Sequence, residues 1–166
     1  KVSIITGGPG VGKTTIIRAL VDVYFKRDLK ISLAAPTGRA AKRMQEATHR
    51  PAMTIHRLLK FNPHGGGFEQ NADNPLDTDV AIIDEVSMMD LPLMSSFLCA
   101  LRPDTTLILV GDTDQLPSVG PGNVLRDLIQ SEQIPCKRLN QIFRQSHAGL
   151  IVQNAHRVNQ GEFIEF

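Results

Sequence analysis

Residues Gly7 to Thr14 read GGPGVGKT. The run matches G-x-x-x-x-G-K-[ST], a loop that cradles phosphate. A nucleoside triphosphate is a crowded polyanion, and few backbones can approach it closely. Glycines at 7, 8, 10 and 12 remove side chains that would block the approach, and they permit positive φ. The stretch Gly8, Pro9, Gly10, Val11, Gly12, Lys13, Thr14 and Thr15 is therefore the candidate nucleotide contact. Lys13 supplies a point charge for the β/γ-phosphates, and the Thr14 hydroxyl suits Mg²⁺. The flanks agree. Val2–Thr6 is short, apolar and β-rich. Thr14–Phe25 continues with helical spacing, its positive end facing the anion. Strand, glycine loop and helix is the order the chemistry needs.

The chain has 166 residues, the size of one domain, and can bury a substantial core. Net charge is +1, so any nucleic-acid binding must come from a local patch. Cys99 and Cys136 lack metal-type spacing. The sequence around Cys99 predicts a buried small hydrophobe. Such cysteine usage suits a reducing compartment, and a cytoplasmic location is expected. No apolar run has the length of a membrane span, so no membrane partner is expected. The chain opens on Lys1 within a strand pattern, which suggests a piece of a longer protein.

Five segments read as strands: Val2–Thr6, Ile31–Ala35, Val80–Asp84, Leu107–Gly111 and, more weakly, Arg138–Ile142. The first four are near-continuously apolar, as in a parallel sheet covered on both faces. Helical patterns over Thr14–Arg27, Gly38–Ala47, Leu91–Leu101, Asn123–Ser131 and Ala148–Asn159 alternate with them. Asp90 is the expected cap of the third, with Pro92 in its first turn. The alternation predicts an α/β doubly wound sandwich. Phe61–Thr78, rich in Gly, Pro and Asn, predicts a surface insertion over 62–78 with a small hairpin. The whole of 1–166 reads as a single ATPase-type lobe.

Ligands in such sheets sit beyond the carboxyl ends of the strands. Asp84 and Glu85 end one apolar strand there. Asp84 suits Mg²⁺ beside Thr14, and Glu85 suits polarising an attacking water. Without the loop, the pair would read only as anions at a helix start. Gly111-Asp112-Thr113-Asp114-Gln115 runs from another strand into a polar loop. Gln115 can donate and accept hydrogen bonds at a γ-phosphate or a water, whereas turn chemistry is the plainer reading.

Taken in order, GGPGVGKT, APTGRAAKRM (35–44), TIHRLL (54–59), IIDEVSM (82–88), VGDTDQLPSVGPG (110–122) and LNQIFRQ (139–145) resemble superfamily 1 DNA helicases. The similarity is to the RecD-like branch, which includes the exonuclease V alpha subunit, and it spans nearly the whole chain. It implies a P-loop NTPase fold, a RecA-like three-layer sandwich with a mainly parallel sheet. It implies ATP and Mg²⁺ as cofactors and single-stranded DNA as partner. It implies 5′-to-3′ translocation in recombination or repair, with helicase–nuclease subunits as possible partners.

The resemblance also assigns residues. Pro36, Thr37, Gly38, Arg39 and Lys42 would touch DNA phosphates, with Arg43 on the same helix face. Thr54, His56 and Arg57 match a second DNA-contacting motif, and Val119 lies in the loop linking Gln115 to DNA. Lys13, Glu85, Gln115 and Arg144 form the implied catalytic set, Arg144 aiming at the γ-phosphate. A solvated helix face and a structural His56 are the plainer readings of these basic groups. The second RecA-like lobe of such motors is not in this stretch, nor is the adenine-recognising glutamine motif. A P-loop phosphotransferase and a non-catalytic ATP switch or DNA-binding module remain the alternatives.

Overall fold

The computed structural model describes residues 1–63, 65–140, 154, 157–158 and 161–164. In chain order they form β1 (Val2–Gly7), α1 (Lys13–Phe25), β2 (Ile31–Ala35), α2 (Gly38–Thr48) and β3 (Met53–Thr54). Next come α3 (Ile55–Leu58), β4 (Phe61–Asn62), β5 (Gly67–Phe68) and β6 (Val80–Ile83). A 3₁₀ turn at Val86–Met88 leads into α4 (Leu91–Cys99), β7 (Thr106–Gly111), α5 (Val124–Gln130) and β8 (Cys136–Leu139).

Six strands make one sheet in the order β3-β2-β6-β7-β1-β8, and every pairing in it is parallel. Parallel neighbours need crossovers, and the apolar strands require cover on both faces. Side-chain alternation divides the core. Ala81, Ile83, Leu107 and Leu109 pack with α3, α4 and α5, through residues such as Ile55, Phe97 and Leu125. Val80, Ile82, Ile108 and Val110 pack with Ile17 and Val21 of α1 and Met44 of α2. The result is the α/β sandwich read from the sequence.

β1 lies between β7 and β8, while the chain leaves it for β2 on the far side of β6 and β7. The loop after β1 therefore occupies the switch point, where strand connections diverge and a crevice opens. Asp90 caps α4 as expected: its Oδ1 accepts from Leu93 N–H at 2.9 Å.

Several details differ from the sequence reading. β3 ends on the first residue of the TIHRLL motif, α3 lies within it, and both are too short for periodicity to reveal. β8 begins at Cys136 rather than Arg138. Ile142 and most of the helix expected over Ala148–Asn159 lie outside the described residues. Cys99 is exposed, not buried. Met94 and Phe97 carry the buried stripe of α4, and Cys99, two positions past Phe97, turns to the opposite face. Between 61 and 78 the β4–β5 hairpin pairs Phe61 with Phe68. The segment then returns to the core, where Leu76 N–H donates to Ala100 C=O at 2.8 Å and Thr78 is buried.

Candidate nucleotide-binding edge

Gly10 and Gly12 adopt φ of 79° and 87°. A side chain in that left-handed region is strained, so both positions favour glycine. Gly7 is needed for another reason. A Cβ there would sit 2.7 Å from Leu139 C=O on β8. The loop delivers the chain into α1, whose N-cap Gly12 offers no side-chain acceptor. The amides of the first helical turn thus lack intrahelical partners and point out of the sheet edge. Lys13 folds back over this cradle, its Nζ donating to Gly7 C=O at 2.5 Å and Gly8 C=O at 2.9 Å. The sequence reading put this ammonium on phosphate; here it closes on the loop's own carbonyls.

β6 hydrogen-bonds to β2 through Asp84 N–H and Ala34 C=O at 3.0 Å, bringing its two acids to the same rim. Asp84 Oδ1 accepts from Glu85 N–H at 2.9 Å. Burial pushes the Asp84 carboxyl above its ordinary range, against that hydrogen bond and the Lys13 charge. Glu85 is also pushed up, first by burial and then by the Asp84 carboxylate, with Asp112 adding to the effect. Lys13 and Arg43 pull it down. Glu85 holds φ 54°, ψ 40°, a strained conformation of the kind that clusters at functional sites. Its Oε2 is buried without a hydrogen-bond partner. A buried, unpaired carboxylate oxygen costs free energy unless something later engages it.

Thr6 Oγ1 and Ser87 Oγ are likewise buried and unpaired at this edge. They sit around Gly111: Thr6 pairs with it in register, and Ser87 N lies 3.3 Å from where its Cβ would be. Neither is singled out by the sequence, in which Thr6 reads as a strand residue and Ser87 only as part of the IIDEVSM motif. Asp112 is 1% exposed and accepts from Asp114 N–H at 3.0 Å. Gln115 is exposed on the loop that follows. Farther along, the Ser118 hydroxyl donates to Gly120 C=O at 3.0 Å and Gly122 C=O at 3.1 Å. Leu91 N–H donates to Pro121 C=O at 2.8 Å. The loop is thereby tied to the start of α4 with Val119 fully exposed. Arg144 and its neighbour Phe143 lie outside the described residues.

Among the described residues no cluster of three or more His, Cys, Asp or Glu side chains could hold a metal. Thr14 and Asp84 could contribute to one whose other ligands are phosphate and water, which is the habit of Mg²⁺. A cleft of about 680 Å³ adjoins the loop, walled by Val11, Gly12, Thr15, Ile16 and the run Lys137–Asn140. The cations of β8 escaped the sequence reading because that strand was weakly patterned.

The basic groups occupy the neighbouring helix starts. Thr37 Oγ1 caps α2 by accepting from Ala40 N–H at 3.2 Å. Thr54 Oγ1 caps α3 by accepting from Arg57 N–H at 3.3 Å. Since Ala35 and Thr54 are paired, the two capped ends stand side by side. Each hydroxyl accepts here, which leaves its own proton for an outside acceptor. Pro36 is half-buried, and Gly38, Arg39, Lys42 and Arg43 are exposed. Lys42 is 3.9 Å from Glu46, a weak surface pair. His56 lies edge-on to Phe61 at 5.8 Å and contacts Phe68 at the same distance. Among the described residues, the glycine loop with Lys13, Asp84 and Glu85 thus forms one group and the basic helix starts form another.

No described helix is long and apolar enough to cross a membrane. Residues 1–121 match the AAA domain family. The chain is 45% identical over 159 residues to the ATP-dependent RecD2 DNA helicase of Deinococcus radiodurans, covering 96% of this chain and 22% of that protein. It is 43% identical over 152 residues to the RecBCD enzyme subunit RecD of Haemophilus influenzae, covering 77% of this chain and 24% of the relative. The chain therefore spans less than a quarter of the length of these relatives. Among solved structures, Pif1 helicase from Candida albicans superposes with a TM-score of 0.66 at 26% identity, covering 86% of this chain and 37% of that one.

Proposed function

The chain belongs to the AAA domain family and, within it, to the RecD-like branch of superfamily 1 helicases; from that membership we propose that it is the ATP-hydrolysing lobe of a DNA helicase. The observation that carries the mechanism is the buried, unpartnered Glu85 Oε2 beside Asp84 and Lys13.

ATP enters with its phosphates on the amides of the α1 first turn. Lys13 exchanges the carbonyls of Gly7 and Gly8 for phosphate oxygens. Thr14 and Asp84 would hold Mg²⁺, which would supply neutralisation of the phosphate charge. Glu85 orients a water and accepts its proton as the water oxygen bonds to the γ-phosphorus. The bond to the β–γ bridging oxygen then breaks, releasing ADP and phosphate. Gln115 hydrogen-bonds the γ-phosphate and carries its loss into the Val119 loop. Arg144 meets the developing charge. The cleft beside Ile16 and Arg138 takes the nucleoside.

Single-stranded DNA runs over Pro36, Thr37, Gly38, Arg39, Lys42, Thr54, His56, Arg57 and Val119, with backbone contacts dominating. The full-length protein works 5′ to 3′ in recombination or repair in the cytoplasm, its site completed by a second RecA-like lobe. Association with helicase–nuclease subunits is supported by the similarity to RecD. A phosphotransferase is disfavoured, because Glu85 would activate water in competition with any acceptor. Phosphate release by the full-length protein, measured with and without oligothymidine, tests the reading. Turnover indifferent to single-stranded DNA would refute it.

A further inference from the structure

The opposite corner of the lobe holds a feature that nucleotide and DNA do not use. β3 pairs only with Ala34 and Ala35 of β2, so among the described residues no strand flanks the outer side of β2 from Ile31 to Leu33, with Ile31 half-buried and Leu33 3% exposed. Lys30 C=O accepts from Asp79 and Val80 N–H, and Ala34 C=O accepts from Asp84 N–H, just past β6. By the alternation of a parallel ladder, the Ile31 and Leu33 amides then face away from β6. No strand among the described residues pairs them. Natural sheets guard an open edge with charges, proline or a bulge. Ile31-Ser32-Leu33 has none of these within it.

A groove of about 320 Å³ runs along this edge, with Phe25, Leu29, Pro51, Met53 and Leu58 among its walls. Phe25 is 50% exposed and Met53 36%. Arg50 also lines the groove, its guanidinium carbon 3.3 Å from the Phe25 ring centroid. No ion pair joins Arg50 to a carboxylate among the described residues. Lys26 and Arg27 follow Phe25 in the chain, His49 precedes Arg50, and all three are exposed. The acids near the start of β2 are Asp28, Asp77 and Asp79; Asp77 is engaged by Lys30 and Arg102, and Asp79 by the Lys30 N–H and Arg102.

We propose that this groove docks an extended, acidic segment of a partner protein, which adds as a strand to the open edge of β2. The main chain would pair with the Ile31 and Leu33 amides. Alternate apolar side chains would enter between Phe25 and Met53, and intervening carboxylates would reach Arg50. The unpaired amides favour a peptide over a nucleic acid, which has no ladder to offer. The edge lies away from the phosphate cradle, so the partner can bind while the nucleotide site is occupied.

The test uses full-length protein and a fluorescent peptide of about six residues, a usual strand length, alternating glutamate and valine. A lysine–valine peptide is the control. Expected are saturable binding of the acidic peptide alone and slowed hydrogen exchange at the Ile31 and Leu33 amides. Arg50→Glu, an exchange near the surface, should weaken the acidic peptide about tenfold and favour the basic one. Met53→Ser should weaken the acidic peptide as well, with nucleotide binding unchanged as the fold control. The proposal is overturned if the acidic peptide fails to bind or if both peptides bind wild type alike. It is also overturned if oligothymidine displaces the peptide. Protection of both amides in the free full-length protein would give the groove to another part of the same chain, and that too would overturn it. None of these outcomes bears on ATP turnover, so they stand or fall apart from the motor assignment.

Discussion

The two ends of the central sheet are built differently. At the carboxyl ends of the strands, α1 starts without a side-chain cap, Glu85 is strained, and Thr6, Glu85 and Ser87 bury unpaired oxygens. At the amino ends, polar groups are clamped. Arg102 reaches Asp77 at 3.1 Å, Asp79 at 3.2 Å and Thr78 C=O at 3.2 Å, with only its Nε, 3.6 Å from Asp104, short of a hydrogen bond. The Thr105 hydroxyl also donates to Thr78 C=O, at 3.0 Å. The amino rim ties its polar groups to one another, while the carboxyl rim leaves Thr6 Oγ1, Glu85 Oε2 and Ser87 Oγ buried without a hydrogen-bond partner. Stability and activity should therefore separate along the strands.

The hardest test of that separation is Lys13→Ala in the full-length protein. DNA-stimulated phosphate release should fall below detection, a loss of about 100-fold or more, while the melting temperature of the nucleotide-free protein stays near wild type. A large drop in melting temperature would erase the contrast. Glu85→Gln should cost about 10²–10⁴-fold in turnover, as expected for a general base, with ATP still bound in a fluorescent-nucleotide titration.

Arg102→Ala should act in reverse. It should destabilise by about 1–3 kcal/mol, through carboxylates and a carbonyl left without their partner, and leave KM for ATP unchanged. Urea unfolding alongside steady-state ATPase measurement checks both halves.

The smallest effect is in pH. Asp84 and Glu85 have folded-state proton affinities raised by burial. The folded chain then holds more protons than the unfolded one above the ordinary carboxylate range. Stability should fall as pH rises from that range until both groups have ionised. Replacing both by Asn and Gln should flatten the dependence in urea melts across pH 4–7. An unchanged slope would show that the rim acids are not desolvated.

Most of this architecture was legible. The near-continuous apolar strands reported a sheet covered on both faces, and Ile31–Ala35 matches β2 to the residue. Asp90 as the α4 cap followed from residue type alone. The misses have physical causes. Cys99 looked buried because its neighbours are apolar, yet helical rotation decides which of them face inward. β3 and β8 are edge strands, short or exposed, so burial writes little pattern into them. The resemblance makes Thr37 a DNA-phosphate contact and Thr54 part of a second DNA-contacting motif; in the structure their oxygens cap two helices.

The order of residues alone determined the phosphate cradle, the acids after β6 and the strand–helix alternation, because glycine, charge and periodicity are local properties. Only the tertiary structure decided that Lys13 rests on its own loop and that Glu85 is buried with an unpaired oxygen. It also decided that the β2 edge lies open beside Phe25. Those facts depend on which distant segments exclude water from a given atom, and burial is a property of the packed sheet rather than of any single stretch of chain.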